Sequence, residues 1–187
     1  MKLPYHCHPK KKTGFILLEG KVEVMLGFYE KRILKSPAKL MIRPGLFHST
    51  KAISKNGAKI LEIETPIIKQ DLVRFKDDYG RSNKPYEGKN MMIQKTKDDY
   101  TFQIPKKNGK NNYYLKKGEI TIEKLVSLKK INRRKKNTIF AVIDGGLADK
   151  KKRLVLSPGD LIRLDTIIKL GKVFKVLKHI TLLTFSK

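Results

Sequence analysis

His6 and His8 stand two residues apart, so on a β-strand both imidazoles point to the same side. A third histidine, His48, follows the tight turn at Pro44-Gly45, and two strands of one barrel would bring the three rings together. Imidazole is the commonest protein ligand for transition metals, so three convergent rings make a site for a divalent ion such as Zn, Fe, Mn or Ni. Glu62 and Glu64 share one strand face and could add a carboxylate to the same cavity. Cys7 alternates to the opposite side and, as the one cysteine, forms no internal disulfide. Tyr5, Phe15 and Phe47 would line or cap the cavity if they face inward, with core packing as their default. His179 stands alone and receives no role.

The elements around these residues read as β-strands. Runs such as GFILLEGKVEVMLGF, AKILEIET, YYLKKGEITIEKLVSL, NTIFAVIDGG and HITLLTF are rich in β-branched and aromatic residues, and turns rich in Gly and Pro separate them. This spacing predicts an all-β sandwich or barrel. The chain also repeats itself. FILLEG at 15–20 lies over FAVIDG at 140–145, and RILKSPAKLMI at 32–42 lies over RLVLSPGDLIR at 153–163. ILEIET at 60–65 then lies over TLLTFS at 181–186. We therefore expect two related units, 1–66 and 113–187, joined by a charged connector at 67–112 that holds a short helix or two.

The histidine pattern resembles the cupin superfamily. That family's first motif, H-x-H, four residues, Glu, six residues, Gly, falls on His6, His8, Thr13 and Gly20, and its second, P-G-x-x-H, on Pro44, Gly45 and His48. The resemblance implies two double-stranded β-helix (jelly-roll) units, the second degenerate. It makes His6, His8 and His48 metal ligands pointing into the first barrel. Thr13 stands where the family has its glutamate. The repeat alignment puts Ile131, Arg133, Thr138 and Lys169 at the corresponding places of the second unit, which has lost every histidine ligand. Only five residues precede His6, so the first barrel is expected to borrow a strand from the second unit or a neighbouring subunit, or to stay partly open. A homodimer is one way to cover that edge.

The segment ETPIIKQDLVRFKDDYGR is similar to one that follows the barrel in cupins associated with sugar phosphates and nucleotide sugars, including mannose-6-phosphate isomerase-like proteins. Asp71, Arg74, Asp78, Tyr79, Gly80 and Arg81 carry that match. It implies a small anionic carbohydrate substrate undergoing isomerisation or epimerisation, with Arg74, Tyr79 and Arg81 either contacting that substrate or, as the first reading of their charge pairs, tying the connector to the barrel rim, while Thr13 faces the cavity as a further substrate contact. Asp71 with Arg74, and Asp78 with Arg81, are spaced to pair on a helical turn. No catalytic base can be named from the motif. An iron-dependent small-molecule dioxygenase and a non-catalytic ligand- or polyanion-binding cupin are the alternatives.

Charge and composition bound these readings. Of 187 residues, 43 are basic and 17 acidic, a formal net charge of +26. Only eight of the basic residues are arginines, and no alternation of aromatic and basic residues marks a stacking platform, so nucleic acid is not the favoured partner. The field nevertheless steers anionic small molecules inward. No apolar run approaches the roughly 20 residues that a membrane helix needs, and no signal peptide is seen. A cytoplasmic location is expected.

Overall fold

A computed structural model describes residues 3–68, 70–76, 80 and 101–187. In the first half, β1 (Tyr5–Cys7), β2 (Lys12–Glu19), β3 (Lys21–Leu26), β4 (Glu30–Lys35), β5 (Ala38–Ile42), β6 (His48–Ala52), β7 (Lys59–Thr65) and β8 (Val73–Lys76) build two antiparallel sheets. Their orders are β4-β3-β6-β1-β8 and β5-β2-β7. Alternation along β3 buries Val22, Val24 and Leu26, which meet Phe15, Leu17, Leu40 and Ile42 from the other sheet. Consecutive strands repeatedly change sheets. The change from β2 to β3 is at Gly20, where φ is +83° and a Cβ would lie 2.4 Å from the Gly57 carbonyl oxygen, a place that only glycine fits. β2 and β3 therefore lie in different sheets and do not form a paired hairpin.

Two expectations about the edge and the connector change. β1 pairs with β6 on one side and with β8 on the other. The strand covering β1 thus comes from the connector of the same chain. Asp71 and Arg74 flank or occupy that extended segment and do not share a helical turn. Among the described residues the connector contains no helix. Asp78, Tyr79 and Arg81 lie outside the described residues.

The second half also departs from expectation. Strands β9 (Lys110–Leu115), β10 (Gly118–Leu125), β11 (Ile139–Ala148), β12 (Leu154–Leu156), β13 (Leu161–Arg163) and β14 (Lys175–Ser186) form one sheet, ordered β12-β11-β14-β10-β9, with β13 also on β11. Helix α1 (Leu164–Val173) takes the place of a second sheet, because Leu164, Ile167 and Ile168 recur at helical spacing and pack on Phe140, Leu147 and Leu182. A second closed two-sheet unit is not formed among the described residues. The trio β5-β2-β7 has the same order as β13-β11-β14, and Phe140 and Val142 keep the inward face of Phe15 and Leu17, yet the second aligned segment does not keep its faces. Leu40 fills the first core, whereas its counterpart Leu161 packs against Ile16 and Leu18, the outcome of a one-residue slip in a period-two element. Arg133 and Lys169 are exposed, with Lys169 on α1 rather than a strand.

Both faces of β2 are buried. Phe15 and Leu17 point into the first core, and Ile16 and Leu18 meet Ile139, Ala141, Leu183 and Phe185 of the second sheet. Lys12 continues this seam, donating to Asp160 at 2.8 Å and Ser157 at 3.1 Å. No helix of the described residues is long and apolar enough to cross a membrane.

Candidate metal centre

Pairing of β1 with β6 makes His6 and His48 direct cross-strand partners, and His8 follows β1 on the same side. The ring centroids of His6 and His48 are 4.4 Å apart, those of His6 and His8 5.1 Å, and those of His8 and His48 5.9 Å. All three rings are buried, and one nitrogen from each lies within 4.8 Å of the others.

The hydrogen bonds orient these rings. Nδ1 of His6 donates to the Pro4 carbonyl at 2.8 Å, that of His8 to the Asp71 carbonyl at 2.5 Å, and that of His48 to the Leu46 carbonyl at 3.0 Å. A carbonyl oxygen only accepts, so each Nδ1 carries a hydrogen and each Nε2 is turned to the cup, the arrangement of metal-ligating histidines. Nε2 of His48 is buried without a hydrogen-bond partner. A stranded acceptor of this kind is costly, and a bound cation would satisfy it.

Glu64 brings a carboxylate beside His8, in a second group of possible ligands made of His8, Glu62 and Glu64. Thr13 on β2 and Glu64 on β7 are cross-strand partners, so the acid has moved one strand sideways from the motif position. Glu64 Oε1 lies 2.9 Å from His8 Nε2. Two ligands of one ion with bonds of roughly 2.1 Å at a right angle stand about 3 Å apart, so this pair fits a shared metal. Glu64 Oε2 accepts from Lys11 Nζ at 2.5 Å, and Lys11 is 2% exposed. Thr13 is buried with its hydroxyl unpartnered, facing the same region.

Asp71 holds the loop after β1. Its carboxylate accepts the Lys10 amide at 2.9 Å and the Lys11 amide at 2.8 Å, while its carbonyl anchors His8. Neither Asp71 nor Lys11 was legible as a site residue, since their partners lie some 60 positions away. Arg74 is the cross-strand partner of His6 and brings positive charge beside it. Phe15 packs edge-on to His48 at 6.0 Å, whereas Tyr5 and Phe47 join an aromatic cluster elsewhere.

The electrostatics follow from burial and these contacts. Burial holds His6 below the usual histidine range and takes His48 down to about 4. Burial opposes protonation of His8 as well, but the Glu64 hydrogen bond, the Asp71 carbonyl and the Glu64 charge outweigh it and raise its pKa. For Glu64 burial works against ionisation, and the bonds from His8 and Lys11 override it, giving a value of about 2. Glu62 is an exposed residue beside Glu64 and His8, and the protein packed around its carboxyl, then the Glu64 charge, pushes it up to about 7.

A pH prediction arises here. Unfolded His48 binds a proton below about 6.5 and the folded ring only near 4, so the unfolded state takes up more protons in that window and acid destabilises the fold. At roughly 1.4 kcal/mol per unit this amounts to about 3 kcal/mol. Glu62 and His8, both raised, act in the opposite sense, Glu62 between about 4.5 and 7. The readout is therefore a difference. The stability of metal-stripped parent minus that of His48→Gln should fall by about 3 kcal/mol from pH 7 to pH 4 in urea titrations. A flat difference would contradict the buried neutral ring.

No family model matches the chain, and no curated protein sequence matches it. Solved structures similar to it include a double-stranded β-helix protein from Klebsiella pneumoniae, at 18% identity and TM-score 0.34, covering 35% of this chain and 54% of that one. Oxalate decarboxylase from Bacillus subtilis is similar at 12% identity and TM-score 0.38, over 98% of this chain and 63% of that one. Mannose 6-phosphate isomerase from Bacillus subtilis is similar at 13% identity and TM-score 0.33, over 100% and 72%. The chain thus spans less than two thirds of the first two, and likenesses this distant assign it neither a family nor an activity.

Proposed function

We propose that this chain is a cupin-type metal protein acting on a small anionic carbohydrate-class substrate, with His6, His8, His48 and Glu64 holding the ion. The observation that supports it most is the pinning of three Nδ1 atoms on backbone carbonyls, which leaves three Nε2 atoms converging and one of them buried without a partner. A divalent ion bound there would act as a Lewis acid toward a substrate carbonyl. Of the chain's own groups, Glu62 lies within 4.8 Å of His8 and Glu64 and is exposed, so that it can take a substrate proton and return it. Arg74 and the +26 field draw an anionic substrate toward the cup. Thr13 presents a hydroxyl to the same interior.

Metal analysis tests this reading. Purified protein reloaded with Zn, Mn, Fe(II) or Ni should hold about one equivalent of at least one of them, and His48→Ala should lose affinity by about 100-fold or more. Equal metal in parent and variant, or none in either, would end it. With metal retained, Glu62→Gln should lose most turnover of a sugar-phosphate isomerisation while keeping the ion. Oxygen consumption with bound Fe(II) would instead point to oxygenase chemistry.

A further inference from the structure

The opposite side of the same five-stranded sheet carries an independent feature. Alternation that sends His6, Val24, His48 and Arg74 inward sends Tyr5, Met25, Ser49 and Phe75 outward, and neither the second sheet nor α1 covers that face. There Tyr5 is the hub of an aromatic cluster, with ring centroids 6.1 Å from Phe28, 5.5 Å from Phe47 and 6.0 Å from Phe75. A bond from its hydroxyl to the Gly27 carbonyl at 2.6 Å fixes that ring. Phe28 is 62% exposed and Phe75 63%. Large apolar groups clustered in water in this way mark interaction surfaces.

Three of these rings, Tyr5, Phe28 and Phe75, line a recess of about 380 Å³ together with Lys31, Lys51 and Lys76, and Glu23 is the one acid in its lining among the described residues. We infer that this recess binds single-stranded nucleic acid, with bases stacking on Phe28 and Phe75 and the three lysines taking the phosphates. Rings beside cations suit a ligand that alternates planar apolar groups with negative charges, as a single strand does. The alternation is absent from the linear sequence, because the rings come from four separate segments and the lysines from three strands. A second copy of the chain is disfavoured, since it would press one lysine rim on another in a molecule of net charge +26. An anionic bilayer favours a protruding apolar anchor over a recess.

The experiment is fluorescence anisotropy with a labelled twelve-residue oligothymidylate, the matching duplex, and phosphatidylserine vesicles, across a range of NaCl. The single strand should bind more tightly than the duplex. Phe28→Ala with Phe75→Ala should weaken it by at least about tenfold with an unchanged salt slope. Lys31→Gln, Lys51→Gln and Lys76→Gln together should flatten the slope of log affinity against log salt by about 2. Both sets replace exposed side chains, and unchanged melting curves confirm folding. Equal affinity for duplex and single strand, insensitivity to the ring changes, or binding to vesicles alone would overturn the inference. None of these readouts depends on metal, so His48→Ala should leave them unaltered.

Discussion

Glu64→Ala is expected to destabilise the metal-stripped chain by about 3–5 kcal/mol, the cost of leaving a buried charge without its partner. Lys11 is 2% exposed, and its ammonium donates to Glu64 at 2.5 Å. Its long stem lies buried in the wall of the cup, so the charge cannot reach water when the carboxylate is gone. Glu64 is more open, with 30% of its side chain accessible, and its other oxygen meets His8. The two ends of the pair are therefore unequal. Lys11→Met should cost far less, because water and His8 still serve Glu64, and Lys11→Met added to Glu64→Ala should restore most of the loss. Urea titration of the four proteins gives the coupling energy. A Glu64→Ala loss below about 1 kcal/mol, or a double variant no better than Glu64→Ala, would remove the pair from any structural role. Because the apoprotein is used, this effect stays separate from the role of Glu64 toward an ion.

Phe185→Ala is expected to cost about 3–5 kcal/mol, the range for truncating a fully buried aromatic ring. Phe185 is 0% exposed and lies at the seam with Ile16, Leu18, Ile120, Ile139 and Leu183. Its neighbours come from both halves of the chain, so the cavity weakens the two together and unfolding should remain one transition by circular dichroism and tyrosine fluorescence. Tyr29→Ala, at a residue 95% exposed, is the control and should shift stability by no more than about 0.5 kcal/mol. Two separated transitions in Phe185→Ala would show that the seam does not couple the halves.

Much of the first half was legible because its signals are local. The spacing of His6 and His8 predicts a shared face on β1, and Pro44-Gly45 predicts the turn before His48. The second half misled at 164–173. The LSPGDLIR similarity holds as far as β12 and β13, but the alignment that set Lys169 over His48 fails, because Leu164, Ile167 and Ile168 follow a helical period and α1 covers the sheet instead. The Asp71–Arg74 spacing misled as well, since an i,i+3 charge pair suits a helix only where the backbone is helical. Here Val73–Lys76 gains more by satisfying the β1 edge.

The sequence by itself determined the all-β character of the first half, the three histidines as candidate ligands and the excess of positive charge, because residue type, period-two alternation and net charge are properties of the linear chain. Tertiary structure alone decided that Glu64 stands across from Thr13, that Lys11 and Asp71 brace the site, and that Phe28 and Phe75 meet three lysines on the outer face. Those contacts join segments tens of residues apart. Strand register and sheet order set them, and neither is written in any short stretch of the chain.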